Sequence, residues 1–103
     1  MTLIEFLRLT PEQKVNGVWL SGIEGEGEYI EYWNNGQLWN HSHHKNGNRH
    51  GEYKRWYRDS KLGEHSHYKD NKLHGEYKMW NYNGLLYRHC LYENGILIKD
   101  YLI

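Results

Sequence analysis

The chain has 103 residues, a length typical of one domain, and 13 basic and 13 acidic side chains give it a formal net charge of zero. This balance argues against nucleic-acid-binding and membrane-surface proteins, which usually carry a basic patch or a polybasic segment. Ten tyrosines and five tryptophans indicate a core built largely from aromatic rings. Cys90 is the single cysteine, so neither an intramolecular disulfide nor a multi-cysteine zinc site is possible.

The N-terminal segment, residues 1–17, is expected to form one or two short helices. Thr2 and Glu5 resemble a capping box, and Thr10-Pro11 places a proline at a first helical position. The apolar part of this segment is short and interrupted by charges, which argues against a signal peptide. Since no stretch approaches the ~20 apolar residues of a membrane span, we expect an intracellular protein, cytoplasmic or nuclear.

Residues 18–103 are built from a repeat with a step of 24 residues. Gly-Glu-Tyr occurs at 27–29, 51–53 and 75–77, and Lys99-Asp100-Tyr101 is a degenerate fourth copy. Other columns keep the same step: Tyr32, Trp56 and Trp80; Leu38, Leu62 and Leu86; His41, His65 and His89; Ser42, Ser66 and Cys90. Agreement across so many columns establishes an internal repeat.

Each repeat carries two turn signals, separated by runs of about nine or ten residues rich in Tyr, Trp and His. The first signals are Asn35-Gly36, Asp59-Ser60 and Asn83-Gly84, and the second are Asn46-Gly47, Asp70-Asn71 and Asn94-Gly95. Asn-Gly favours a two-residue type I′ hairpin, because both central residues then have positive φ. The sequence therefore predicts a mainly β domain, a single-layer antiparallel up-and-down meander of hairpins that begins with a partial strand at residues 18–20.

Gly-Glu-Tyr, a following aromatic residue, Asn-Gly, a leucine and a second Asn-Gly together resemble the MORN repeat, over residues 18–103. The variant is similar to that of bacterial antitoxin-like proteins and of large DNA viruses of amoebae. The resemblance implies an elongated sheet that scaffolds, tethers or self-associates, with any catalysis in another domain. The chain departs from the family pattern at Ser60, Asn71 and Lys99-Asp100, and the last change suggests a terminal or interface strand.

Alternation along the strands divides the sheet into two faces. The histidine face is defined by His41, His65 and His89, and the leucine-tyrosine face by Tyr29, Tyr53, Tyr77 and Tyr101 with Leu38, Leu62, Leu73, Leu86 and Leu97. The leucine-tyrosine face is expected to be the core side, covered in part by the short helices. Counting outward from the second turns, we expect these pairs: His43 with His50, His41 with Glu52, His67 with His74, His65 with Glu76, and His89 with Asp100.

The paired histidines are weak candidates for a metal site. One set would be His41, His43, His50 and Glu52, and the other His65, His67, His74 and Glu76. The alternative is that these pairs only stabilise the sheet, by a few tenths of a kcal/mol each. We favour the alternative, because a catalytic metal centre rarely recurs in step with a structural repeat, and so no cofactor is expected. Protonation of the histidines below about pH 7 would weaken any assembly they support.

No catalytic arrangement is predicted, so the chain is not expected to be an enzyme. Cys90 and His89 are adjacent on a strand and point to opposite faces, which precludes a thiolate–imidazole pair. Trp56 beside Lys54 could stack single-stranded bases, but Glu52 on the same face argues against nucleic acid.

The sequence instead predicts a non-catalytic protein-interaction or assembly module, with a metal-binding or pH-responsive histidine-rich module as the alternative. The expected anchors for a partner protein are Trp39, Trp56, Trp80 and Tyr87, unless these rings only pack on one another. The C-terminal strand is apolar on both sides and lies at a sheet edge, so we expect a homodimer through this strand or the uncovered face. The interface residues would be Ile96, Ile98, Tyr101, Leu102 and Ile103. A viral or antitoxin-like effector that sequesters a partner is implied by the family resemblance alone.

Overall fold

The computed structural model describes residues 1–103 as one open antiparallel sheet with two short helices at its N-terminal edge. The helices are α1 (Leu3–Leu7) and α2 (Pro11–Val15). The strands are β1 (Val18–Trp19), β2 (Gly27–Tyr32), β3 (Leu38–Lys45), β4 (Asn48–Arg49), β5 (Gly51–Trp56), β6 (Leu62–Lys69), β7 (Lys72–Leu73), β8 (Gly75–Trp80), β9 (Leu86–Glu93) and β10 (Ile96–Asp100). The sheet order is β1-β2-β3-β5-β6-β8-β9-β10, with β4 beside β3 and β7 beside β6, which confirms the predicted meander.

Both helices begin at the predicted caps. The Thr2 side chain accepts a hydrogen bond from the backbone nitrogen of Glu5 at 3.1 Å, and Thr10 and Gln13 form a reciprocal capping box. Each helix has five residues, and the chain contains no helix whose length and hydropathy would carry it across a membrane.

Helix α1 packs on the histidine face of β2, which corrects the expectation that the helices cover the leucine-tyrosine face. The Phe6 ring lies 6.3 Å from that of Tyr32, and Phe6 also lines a small apolar pocket with Ile30. Ile30 pairs with His41 and with the buried Val18, so the three side chains share a face. The helix therefore closes the first edge of the sheet and leaves the broad faces open.

The buried core is a column of small side chains on the leucine-tyrosine face. Ser42, Ser66 and Cys90 are 3%, 0% and 1% exposed. Their partners on the neighbouring strands are Tyr29, Tyr53 and Tyr77, respectively. Those tyrosine rings in turn make edge contacts with His44, Tyr68 and Tyr92 at centroid distances of 6.3, 6.3 and 5.9 Å. Aromatic rings over a small-residue column thus replace the second layer that a single sheet lacks.

The leucines contribute less than expected to this core. Leu86 and Leu97 are 38% and 50% exposed, and Leu38, Leu62 and Leu73 are only half-buried. The buried side chains of the expected core side are therefore Ser42, Ser66 and Cys90 and not the leucines, because no second layer of structure covers the leucine positions.

The two turn signals of each repeat form different turns. Both central residues of every second turn have positive φ, as type I′ requires: 52° and 80° at Asn46-Gly47, 50° and 67° at Asp70-Asn71, 49° and 82° at Asn94-Gly95. In the first turns only Gly36, Ser60 and Gly84 have positive φ. There the backbone nitrogen of Gly36 donates to Trp33 at 3.0 Å, and that of Trp33 donates to Gln37 at 2.7 Å. These first turns are therefore longer loops, a type I turn followed by a left-handed residue, and not the expected two-residue turns.

Successive type I′ turns bond to one another across the repeats. The backbone nitrogen of Asn71 donates to the carbonyl oxygen of Arg49 at 2.9 Å, and the Asn71 side-chain oxygen accepts from the Arg49 nitrogen at 2.7 Å. The Asn71 amide also donates to Asn48 at 2.8 Å. Asparagine in place of the usual glycine therefore adds side-chain hydrogen bonds between adjacent hairpins, which glycine could not make.

A bulge after each second turn changes the predicted register. His43 lies opposite His50 as expected, with a backbone hydrogen bond of 2.9 Å between them. His41, however, pairs with Lys54 and not with Glu52. Gly51 lies in the bulge with a φ of 115°, a conformation that strongly favours glycine.

The same bulge recurs one repeat later, and a related shift occurs at the C-terminus. His67 lies opposite His74 as expected, but His65 pairs with Lys78 and not with Glu76. A shift between Leu97 and Lys99 pairs Asp100 with Cys90, so the expected pairing of His89 with Asp100 is also wrong. Tyr101 follows this shift onto the histidine face, where its ring lies 4.3 Å from that of His89.

Candidate functional site

On the histidine face, each carboxylate contacts histidines of the next long strand in the chain. Glu28 of β2 lies 3.5 Å from Nε2 of His41 and 3.7 Å from Nε2 of His43 on β3. Glu52 of β5 lies 2.8 Å from Nε2 of His65 and 4.0 Å from Nε2 of His67 on β6. Glu76 of β8 lies 3.6 Å from Nε2 of His89 on β9, where Leu91 takes the place of the second histidine. The face thus carries two complete clusters and one incomplete cluster.

Backbone carbonyl groups orient one histidine in each complete cluster. Nδ1 of His43 lies 2.8 Å from the carbonyl oxygen of Glu52, and Nδ1 of His67 lies 3.2 Å from that of Glu76. A carbonyl oxygen can only accept, so Nδ1 carries the proton and donates it. Nε2 of each ring is consequently turned toward the carboxylate of its cluster.

Three other histidines present a buried nitrogen that makes no hydrogen bond. These atoms are Nε2 of His41, Nε2 of His89 and Nδ1 of His50, although each lies near a carboxylate. The rings of His41 and His43 are 4.9 Å apart, and those of His65 and His67 are 5.0 Å apart. Side chains two positions apart on a strand share a face, which brings each pair together.

Neighbouring donors and cations lower the pKa of two of the carboxyl groups. The hydrogen bond from His65 is the main cause for Glu52, assisted by the charge of Lys54, whose Nζ lies 3.7 Å away. The pKa of Glu76 is lowered mainly by the hydrogen bond from Lys78 at 3.2 Å. Both groups are therefore carboxylates at neutral pH.

The remaining predicted ligands, His50 and His74, stand outside these clusters. His50 lies 3.6 Å from the carboxylate of Asp70, and Nδ1 of His74 accepts a hydrogen bond from the backbone nitrogen of Asn94 at 3.2 Å. The two predicted four-residue sets are thus not assembled. Glu28 belongs to the first cluster and was missed, although its position in the Gly-Glu-Tyr column was visible in the sequence.

The predicted partner-binding aromatics differ in how far they reach the surface. Trp39, Trp56 and Trp80 are half-buried, whereas Tyr87 is 52% exposed. Trp39 stacks on Trp33 at 4.7 Å, and Trp33 Nε1 donates to the carbonyl oxygen of Trp56 at 3.1 Å. Trp33 therefore links Trp39 to the backbone at Trp56, and Tyr87 is the most accessible of the four predicted residues.

The C-terminal edge carries a dense exposed apolar surface. On β10, Ile96, Leu97 and Ile98 are 67%, 50% and 53% exposed. Of the other predicted interface residues, Tyr101, Leu102 and Ile103 are 39%, 51% and 100% exposed. Leu97 was not among the predicted interface residues, but it is similarly exposed.

Comparison with protein-family models, with curated proteins and with solved structures finds no match to the chain. What the two surfaces can do therefore follows from their own chemistry. The histidine face offers imidazole and carboxylate donors in clusters, and the β10 edge offers apolar side chains beside unpaired backbone groups.

Proposed function

We propose that this protein is a non-catalytic assembly module that pairs with a second copy of itself through the β10 edge. The observation that carries the proposal is the exposure of Ile96, Leu97 and Ile98 on a strand that ends the sheet. An edge strand presents unpaired backbone N–H and C=O groups, and charged or proline residues usually protect it. The first three residues of β10 are Ile-Leu-Ile, and the charged residues Lys99 and Asp100 follow only at its end.

A second copy is the occupant that best fits this edge. Antiparallel pairing of β10 with another β10 about a two-fold axis places identical apolar residues against one another and satisfies both strands' backbone groups. The opposite edge of the sheet is closed, since β1 has two residues and the Met1 ammonium donates to the carbonyl oxygen of Leu20 beside it. With one open edge per chain, association stops at a dimer and does not extend into a filament.

The resemblance to MORN repeats supports the same function, because that family's sheets scaffold, tether and self-associate. A dimer would join two sheets edge to edge through their β10 strands. It would display two histidine faces and two copies of Tyr87. Recruitment of a further protein by those aromatics, as by an antitoxin-like or viral effector, is a narrower form of the proposal and rests on the resemblance.

Sedimentation velocity across a range of protein concentrations tests the proposal. The wild-type chain is expected to sediment as a dimer that dissociates on dilution. A variant carrying Ile96→Lys and Ile98→Lys is expected to be monomeric at every concentration, because lysine on an edge strand opposes pairing.

Ile23→Lys is the matched control, since Ile23 is 61% exposed and lies outside β10. The control is expected to remain dimeric, and circular dichroism would verify that both variants fold. A monomeric wild-type protein, or a dimer that survives the β10 substitutions, would refute pairing through this edge.

A further inference from the structure

We infer that the histidine face holds two sites for a divalent transition-metal ion, formed by Glu28, His41 and His43 and by Glu52, His65 and His67. In each cluster one oxygen and two nitrogen donor atoms lie within 4.8 Å of one another. The sites are independent of the β10 edge and of the proposed dimer, since their ligands come from β2, β3, β5 and β6.

The separation of the donors suits a first-row metal ion such as Zn²⁺. Zinc bonds of about 2.0–2.2 Å in a tetrahedral shell place neighbouring donors about 3.3–3.6 Å apart. In the first cluster Glu28 lies 3.5 and 3.7 Å from the two Nε2 atoms. These contacts are too long for hydrogen bonds and close to the spacing that a shared metal ion would impose.

The orientation of the rings suits a cation at the same place. Nδ1 of His43 donates to the Glu52 carbonyl oxygen, which turns Nε2 of the same ring toward the Glu28 carboxylate. Histidines that bind metal ions typically donate their other ring nitrogen to a carbonyl or carboxylate, as His43 and His67 do.

The buried Nε2 of His41 is a second, independent observation. It has no hydrogen-bond partner in the folded chain, and a buried polar atom without a partner costs free energy. A metal ion bound between His41, His43 and Glu28 would occupy this nitrogen. Two imidazoles and one carboxylate leave at least one coordination position for water or another donor.

The two sites are expected to differ in affinity. In the second cluster, Nε2 of His65 donates to Glu52 at 2.8 Å, and Lys54 lies 3.7 Å from the same carboxylate. Both contacts must be displaced by a metal ion. The position equivalent to Lys54 in the first cluster is Ile30, which offers no competing charge. The first cluster therefore binds metal more tightly than the second.

Isothermal titration of the untagged, full-length chain with Zn²⁺, after treatment with a chelator, tests the inference. We expect the wild-type protein to bind two equivalents of Zn²⁺. The His43→Ala variant and the His67→Ala variant are each expected to bind one equivalent. Substitution with Co²⁺ gives a second readout, since imidazole and carboxylate ligation in a four- or five-coordinate site produces visible absorption.

His50→Ala, His74→Ala and His89→Ala are matched controls, because these histidines lie outside the complete clusters. Each control is expected to retain both equivalents, and circular dichroism would establish that every variant folds. Absence of binding to the wild-type chain would overturn the inference. An equal loss of binding in the control variants would overturn it as well, because it would indicate nonspecific binding to surface imidazoles.

Discussion

Nδ1 of His43 lies 2.8 Å from the backbone carbonyl oxygen of Glu52, while the Glu52 side chain points away to His65 on the following strand. Glu52 therefore contacts two histidine clusters, one through its backbone and the other through its carboxylate. The bulge at Gly51 makes this possible, because the two extra residues keep Glu52 short of the position opposite His41, which Lys54 occupies. The repeats are in this way linked to one another through the histidine face.

The bulge depends on glycine, so Gly51→Ala is expected to lower the free energy of unfolding by about 1–3 kcal/mol. Gly51 has a φ of 115°, and an added Cβ would lie 3.2 Å from Cβ of His43. Urea unfolding followed by tryptophan fluorescence measures the loss. Gly36→Ala is the comparison, since Gly36 has a left-handed φ of 87° and open space around it. If Gly51→Ala lowers the free energy of unfolding no more than Gly36→Ala does, the contact between the added Cβ and His43 does not contribute to the loss.

The contact between Glu52 and His65 is expected to contribute modestly to stability in the metal-free protein. Glu52→Gln should lower the free energy of unfolding by up to about 1 kcal/mol at neutral pH, since the carboxylate is 40% exposed and solvent screens the pair. Urea unfolding with a chelator present isolates this contribution from any bound metal. Glu93→Gln, on the exposed end of β9, is expected to have no effect. Equal stability of the Glu52→Gln and Glu93→Gln variants would mean that the contact between Glu52 and His65 adds nothing measurable to the free energy of unfolding.

The column of Ser42, Ser66 and Cys90 predicts that the free energy of unfolding depends strongly on the volume of the side chain at position 66. Ser66 is fully buried opposite Tyr53, so Ser66→Leu is expected to lower the free energy of unfolding by about 1–3 kcal/mol through overpacking. Ser66→Cys should be tolerated much better, because Cys90 fills the equivalent position one repeat later. Thermal and urea unfolding of both variants would measure the difference. Tolerance of leucine would show that the tyrosine rings move aside freely.

Alkaline pH is expected to destabilise the fold through the half-buried tyrosines Tyr29 and Tyr77. Burial is the main cause that raises the pKa of Tyr77 from its usual 10.0 to about 12, and the pKa of Tyr29 is raised similarly. The folded state therefore keeps a proton that the unfolded chain loses. This contribution to stability is complete below about pH 10 and is lost as the pH rises from 10 toward 12.

Tyr77→Phe should consequently make the decline in stability between pH 10 and 12 shallower than in the wild-type protein. Tyr82→Phe is the control, because Tyr82 is 59% exposed. Urea midpoints measured at several alkaline pH values would distinguish the two. Identical slopes for both variants would argue that Tyr77 ionises as readily in the folded chain as in the unfolded one.

Local signals in the sequence determined the elements and their order. Thr2 and Thr10 identified the two helix starts, because a cap acts within one helical turn. The 24-residue step and the turn residues identified the strands, because Asn46-Gly47 and its equivalents adopt type I′ geometry with little help from the rest of the chain. Alternation placed Ser42, Ser66 and Cys90 on the face opposite His41, His65 and His89, as the structure confirms.

Only the tertiary structure decided which residues meet beyond each second turn. A turn fixes the register for the pairs beside it, such as His43 with His50, and the bulge at Gly51 resets the register further on. The bond between His43 and the Glu52 carbonyl oxygen depends on that bulge, because it brings β3 and β5 into a register that the turn alone does not set. Glu28 with His43, and Glu52 with His67, instead pair across the strands that the first turns join. The sequence by itself therefore determined the hairpins and the pairs beside their turns, and the bulges decided how successive histidine clusters are linked.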